Sequence, residues 1–130
     1  VTGPPGEWFS AAWLRLTPGD TRQANATIKA LLAQRHARQP TRWPNAGSVF
    51  RNPPGDYAGR LIEAAGLKGY CIGAACVAEQ HANFIINRGR ASATEIENLI
   101  TYIERRIMRR YGIRLEREVH IIGAAPEITA

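Results

Sequence analysis

Ser92-Ala93-Thr94-Glu95 opens the stretch that most constrains this chain. A serine followed three residues later by a glutamate is a capping box. The hydroxyl accepts from a free N–H of the first turn, and the carboxylate accepts from the serine's own N–H. Ile96, Leu99, Ile100, Ile103, Ile107 and Tyr111 then recur at three- and four-residue spacing, which gathers them on one helix face. Gly112 ends the helix. Arg105, Arg106, Arg109 and Arg110 fall off that stripe and read as its solvated side. A helix with one apolar face needs a second layer to cover it.

The other segments supply mostly strands. In "EWFSAAWLRLTPGD" the alternate residues Ala12, Leu14 and Leu16 share one face, and Phe9, Ala11 and Trp13 the other. Both faces are apolar, which predicts a strand buried between two layers, ended by Pro18-Gly19-Asp20. Asp20 with Gln23 caps a helix from Thr21 to about Ala37, with Ile28, Leu31 and Leu32 as its narrow apolar stripe. Arg35, His36 and Arg38 load its last turn with cations, where the helix dipole favours them. Pro40 and Pro44 force an extended connection, so the main boundary falls between about residues 38 and 44. A second helix follows, capped by Asp56, with Leu61, Ile62 and Ala65 inward and Gly66 at its end. "KGYCIGAACVA" reads as one strand kinked at Gly73, "EQHAN" as a turn, and "FIIN" as a strand closed by Asn87-Arg88-Gly89. "RLEREVHIIG" reads as a last strand, Leu115, Arg117, Val119 and Ile121 toward the core and Glu116, Glu118, His120 and Ile122 away from it. Helices and strands mix without regular βαβ alternation, which predicts an α+β fold.

The 130 residues amount to about one domain. No apolar run reaches the length of a membrane helix, and "VTGPPGEWFS" lacks the basic start and apolar stretch of a signal peptide. The chain begins without Met, in what reads as a loop, as a cut or processed chain would. Its net charge of +6 is carried almost wholly by arginine, since Lys29 and Lys68 are the only lysines. That balance favours anionic partners: nucleic acid, phosphorylated ligands or an acidic surface. The two cysteines, Cys71 and Cys76, lack further ligands at zinc spacing. A disulfide between them would have to bend one strand sharply, so they read as free, buried thiols, consistent with a reducing cytoplasm.

Three residue types could carry chemistry: Ser48 after Gly47 on a turn, His81 in a polar bend, and Glu118 within a strand. The second glycine of a Gly-x-Ser-x-Gly elbow is absent, which argues against a Ser-His-Glu hydrolase. His36, His81 and His120 are too scattered for a metal site, and neither a Walker loop nor Gly-x-Gly-x-x-Gly is present. Trp8, Trp13 and Trp43 lie near Arg15 and Arg42, only loosely matching the interleaved aromatics of a single-strand nucleic-acid binder. A non-catalytic basic module binding nucleic acid or another polyanion is therefore the alternative kept beside the reading below.

Ala46-Gly47-Ser48-Val49-Phe50-Arg51-Asn52-Pro53, followed by "AGRLIEAAGLKGYCIGAACVAEQHANFIIN", the capped helix and "LEREVHIIG", resembles the C-terminal part of the UDP-N-acetylenolpyruvoylglucosamine reductase (UDP-N-acetylmuramate dehydrogenase) family. The short Pro-Pro-Gly-Asp-Tyr-Ala-Gly link resembles its shorter subtype. The resemblance implies an FAD- and NADPH-dependent oxidoreductase of peptidoglycan precursor synthesis, cytoplasmic, acting on UDP-N-acetylglucosamine enolpyruvate. It implies that residues 1–40 are the last strand and exit helix of a flavin-binding domain, and that 41–130 are the substrate-binding domain. Most of the FAD site, with an arginine that neighbours the catalytic glutamate, would then lie in a part of the protein this chain lacks, and the chain alone would be inactive. Position by position, Ser48 matches the serine that protonates the substrate carbon, and Glu118 the carboxyl group that helps stabilise the intermediate. Asn52 and His81 match substrate contacts, Arg38 a basic residue near the phosphates, and Gly47 a residue whose backbone lies close to the flavin. No metal is implied, and nucleic acid is not an expected partner. Arg51 replaces a common lysine, Cys71 a common arginine, Ala74 a common glycine, and Gln80 a frequent lysine; Ser48 and Glu118 are unaltered.

Overall fold

The computed structural model describes residues 10–123, in two units: one runs to Leu32 and the other begins at Ala33. In the first, α1 (Thr21–Arg38, which continues into the second unit) starts where the sequence puts it. Asp20 Oδ1 accepts from the Gln23 N–H at 2.7 Å, satisfying one of the free donors of the first turn. No residue of α1 is buried, and Ile28, Leu31 and Leu32 stay exposed. The strand expected before it is not formed. Residues 10–20 carry no regular secondary structure, and Trp13, Leu14 and Leu16 are exposed. A strand exists only through ladder bonds to a neighbour, and among the described residues the sheet does not extend to this segment. Glu7, Trp8 and Phe9, which that strand would include, lie outside the described residues.

The second unit is α+β, as expected. After α1 come β1 (Asn45–Ser48), α2 (Ala58–Ala64), β2 (Cys71–Ile72), β3 (Ala75–Val77), β4 (Phe84–Asn87) and α3 (Ala93–Tyr111). The four strands form an antiparallel sheet in the order β1-β4-β3-β2. Because side chains alternate across a strand, Ala75, Val77 and Ile85 face one way and Cys76, Ala78, Phe84 and Ile86 the other. The first set joins Leu99, Ile100, Ile103 and Ile107 of α3 and Leu61 and Ile62 of α2 in the main core. The second set is a smaller cluster on the opposite sheet face. The capping box at Ser92 is complete, and Gly112 ends α3 with φ +68°, a left-handed value that favours glycine.

Four expectations inside this unit need correction. "YCIGAACVA" is a hairpin, not one kinked strand. Gly73 takes φ +57° between β2 and β3, so the chain reverses, and Cys71 pairs with Cys76 in register. They are joined by a disulfide rather than being free buried thiols, and Cys71 is exposed. The free-thiol argument for a reducing compartment falls with them. The N-cap of α2 is Tyr57 rather than Asp56. Asp56 Oδ1 accepts from Tyr57 N–H at 2.7 Å, while Asn52 Oδ1 reaches the Ala58 N–H at 3.1 Å. Lastly, "RLEREVHIIG" forms no full strand: it makes one antiparallel bridge, Arg117 with Phe50. Its facing is as expected where it touches the core. Leu115 is buried and Val119 packs on the core, while Ile121 is exposed. Arg117 cannot join an apolar core as a free cation, and it turns to α3, donating to Glu104 at 2.6 and 2.8 Å.

Candidate functional site

The site begins with an irregularity in β1. Asn45 pairs with Ile86 and Ser48 with Phe84, so three steps along β1 match two along β4. The extra residue makes a bulge, a feature that re-aims side chains. Gly47 sits within it at φ +84°. Asn45 Oδ1 accepts from the Gly47 N–H at 3.0 Å, and its Nδ2 donates to the Trp43 carbonyl at 2.8 Å. One asparagine thus ties the approach to the bulge, and the bulge sets the direction of Ser48.

Ser48 lines a cleft of about 450 Å³ whose walls also include Asn52, His81, Asn83 and Glu118. Four residues expected to act together therefore meet in one place, although 70 positions separate Ser48 from Glu118. Each is held differently. Asn52 caps α2 through its Oδ1, which leaves its amide N–H groups available to the cleft. The His81 ring stands edge-on to Phe84, centroids 4.9 Å apart. Its Nδ1 accepts from the Asn83 backbone N–H at 3.2 Å. The neutral ring must then carry its proton on Nε2, making it a donor suited to an anionic oxygen. Gly59 makes room for that ring: a Cβ there would lie 3.3 Å from His81 Cε1. Glu118 is exposed, and its backbone N–H donates to the Val49 carbonyl at 2.8 Å. It was expected within a strand, but it is held instead by that single ladder bond and by the anchored neighbour Arg117.

Arg60 also lines the cleft and pairs with Asp56. Its guanidinium, and secondarily the Tyr57 N–H, hold the Asp56 carboxyl at about 2, below the usual 3.8. Gly47 lies in an adjoining depression of about 600 Å³ that shares Ser48 and includes Arg35 and Gln39. A Cβ at Gly47 would meet nothing within 4 Å. The glycine is thus required by its left-handed backbone, and it presents an open surface beside Ser48. Arg38 is the expected residue not brought in: it is exposed at the end of α1 and lines neither space. A larger groove of about 1010 Å³ runs between α3 and residues 114–117, with Arg105, Met108 and Arg109 among its walls and none of the expected site residues.

Sequence reasoning missed Asn83. Among the described residues it is the only buried polar one. Its Oδ1 accepts from Phe50 N–H at 3.0 Å and its Nδ2 donates to the Phe50 carbonyl at 2.8 Å. The available signal was an asparagine inside the apolar run Ala82–Ile86, where a polar side chain must find partners.

Residues 39–122 match the family model described as "UDP-N-acetylenolpyruvoylglucosamine reductase, C-terminal domain". The chain is 58% identical over 125 residues to a UDP-N-acetylenolpyruvoylglucosamine reductase of Alkalilimnicola ehrlichii, covering 96% of this chain and 42% of that one. It is 57% identical over 125 residues to the protein of the same description from Methylococcus capsulatus, covering 96% and 41%. Its fold is similar to the crystal structure of UDP-N-acetylenolpyruvylglucosamine reductase from Thermus caldophilus, with a TM-score of 0.63 and 36% identity over 80% of this chain and 37% of that one. The chain thus spans about two-fifths of the length of the curated relatives it matches.

Proposed function

The chain belongs to the C-terminal domain family of UDP-N-acetylenolpyruvoylglucosamine reductases, and from that premise we propose that it supplies the nucleotide-sugar site and the proton donor of such a reductase. The substrate would be UDP-N-acetylglucosamine enolpyruvate, the product UDP-N-acetylmuramate, and the setting peptidoglycan precursor synthesis in the cytoplasm. The observation that carries this is the meeting of Ser48, Asn52, His81 and Glu118 in one cleft.

FAD, reduced by NADPH, would supply the hydride to the enolpyruvyl methylene. This chain fits such a ring at one point, the open backbone of Gly47 beside Ser48. Its own residues supply substrate donors, a proton and a carboxyl group. The Asn52 amide and the His81 Nε2–H are donors for the substrate's oxygens. Hydride addition at the methylene leaves an electron pair on the neighbouring carbon, delocalised into the carboxylate. Ser48 gives its hydroxyl proton to that carbon, forming the C–H bond of the product, and recovers a proton from solvent. An alcohol is a weak acid, so this needs a strongly basic carbon and a fixed hydroxyl. Glu118, protonated or working through a cationic partner, stabilises the charge that develops on the substrate carboxylate. Residues 1–40 would be the end of a flavin-binding domain, with Arg38 at the end of α1 as a cation for the phosphates.

In the full-length reductase, Ser48→Ala is expected to leave NADPH reduction of the flavin unchanged and to slow its reoxidation by the UDP-sugar by about a hundredfold or more, the usual worth of one general acid. Stopped-flow absorbance separates the two half-reactions. Equal loss in both would remove Ser48 from the proton-transfer role.

A further inference from the structure

Val49, Phe50 and Arg51 lie between two sets of bonds. On one side, the Asn83 side chain takes both polar backbone groups of Phe50, at 3.0 and 2.8 Å, and the Asn83 carbonyl accepts from Val49 N–H at 2.9 Å. On the other, Arg51 N–H donates to the Glu116 carbonyl and Glu118 N–H to the Val49 carbonyl, each at 2.8 Å. The side chain of Asn83 thus does for Phe50 what a neighbouring strand would do. Ser48 enters this clamped ribbon, Asn52 leaves it, and Glu118 is bonded across it. His81 belongs to the same arrangement, because the Asn83 N–H holds its Nδ1.

We propose that Asn83 is a positioning residue for proton transfer, fixing the ribbon that sets Ser48 against Glu118. This rests on the reading of Ser48 and Glu118 given above. Asn83 acts through Phe50: its buried side chain gives its oxygen and an N–H to that residue's backbone. The residue type is demanding. A planar primary amide offers one acceptor and one donor at the separation of a residue's own N–H and C=O. An ionised aspartate has the acceptor but would turn a second oxygen toward the Phe50 carbonyl. Misplacing a reacting group by about 1 Å costs up to about a hundredfold in rate, so a loosened ribbon reads out in the chemical step before it reads out in binding.

The test uses the flavin-loaded full-length reductase with Asn83→Asp and Asn83→Ala, and Ser48→Ala beside them. Asn83→Ala, which removes both bonds, is expected to slow flavin reoxidation by the UDP-sugar about tenfold or more, and Asn83→Asp to do so wherever the introduced carboxyl is ionised. KM should change by less than about threefold, and NADPH reduction should be unchanged. As pH falls and the carboxyl protonates, it again offers one donor and one acceptor. The rate of Asn83→Asp relative to the unsubstituted enzyme should therefore climb, while that of Asn83→Ala stays low throughout. A wild-type reoxidation rate in Asn83→Ala, or equal loss in both half-reactions, overturns the positioning role. A wild-type rate in Ser48→Ala overturns the catalytic reading itself, whereas a slow Ser48→Ala beside an unimpaired Asn83→Ala overturns only the role of Asn83. Amide exchange in the unsubstituted protein is a check independent of any variant. The Phe50 N–H should be protected to the degree of the β3–β4 amides, and exchange at the rate of an exposed loop would show that the clamp does not hold.

Discussion

Asp56 shows how much one side chain can be tied to its surroundings without being buried in the core. Arg60 and then Tyr57 hold its carboxyl at about 2, against an ordinary 3.8. The folded-state value is the lower one, so the contribution is complete above the ordinary value and is lost as pH falls through about 2. Asp56→Asn should lower the denaturant midpoint at neutral pH, and the two proteins should converge in acid below that value. A difference that persists unchanged into strong acid would mean the ion pair contributes nothing. Gly47 offers a second measurement. At φ +84° an alanine is strained by about 1–2 kcal/mol, whereas asparagine tolerates left-handed backbone. Gly47→Ala should therefore unfold more readily than Gly47→Asn; the reverse order would mean that the bulge relaxes. At this scale the sequence was uneven. Ser48, His81 and Glu118 stood out by residue type, but only family resemblance joined them with Asn52 in one site, because spacing alone gives no reason for residues so far apart to meet. Asn83 could be suspected from its place in an apolar run, but its partner could not, because Phe50 is 33 positions away.

At the scale of elements, what could be read was what is local. The capping box of α3, its apolar face and its glycine stop are all written within one stretch, as is the Asp20 cap of α1. Two elements were misread, one because a tight reversal at a single glycine looks like a kink, the other because its pairing is not local. "CIGAAC" reads as one strand, yet a tight reversal at Gly73 puts its two ends opposite each other. "RLEREVHIIG" has the alternation of a strand but meets the sheet region through a single bridge, and its hold on α3 comes from Arg117. Each has a consequence. The Cys71–Cys76 bond closes a very short loop, for which chain entropy gives about 2 kcal/mol of stabilisation. Thiol titration of the denatured, unreduced chain should find no free cysteine, and reduction should lower the unfolding midpoint without changing the far-ultraviolet spectrum much. Two titratable thiols in the untreated protein would refute the disulfide. Glu104→Gln should cost about 1 kcal/mol, the upper range for a partly exposed ion pair, and should loosen the segment carrying Glu118. Amide exchange at Glu118 N–H is the readout, and unchanged exchange would mean that Val49 alone holds it.

The whole molecule divides unevenly. From Ala33 onward there is a sheet with α2 and α3 packed on it and a continuous core. Residues 10–32 bury nothing, although Trp13, Leu14, Leu16, Ile28 and Leu31 lie among them. An 18-residue helix without a packed face is marginal in water, since most helical stability in proteins comes from tertiary burial. The amides of α1 should therefore exchange quickly in this chain, while those of α3 exchange only through global unfolding. Slow exchange throughout α1 would show that something covers it. Flavin binding is expected to be weak for a related physical reason. Gly47 offers a ring one open surface, but the sequence has no glycine-rich turn to hold a dinucleotide's phosphates. FAD mixed with the purified chain should pass through gel filtration separately from it. If flavin instead co-elutes at one per chain, the residues described here hold far more of the cofactor than one backbone contact, and residues 1–40 must be assigned a part in binding it rather than the end of a domain that does.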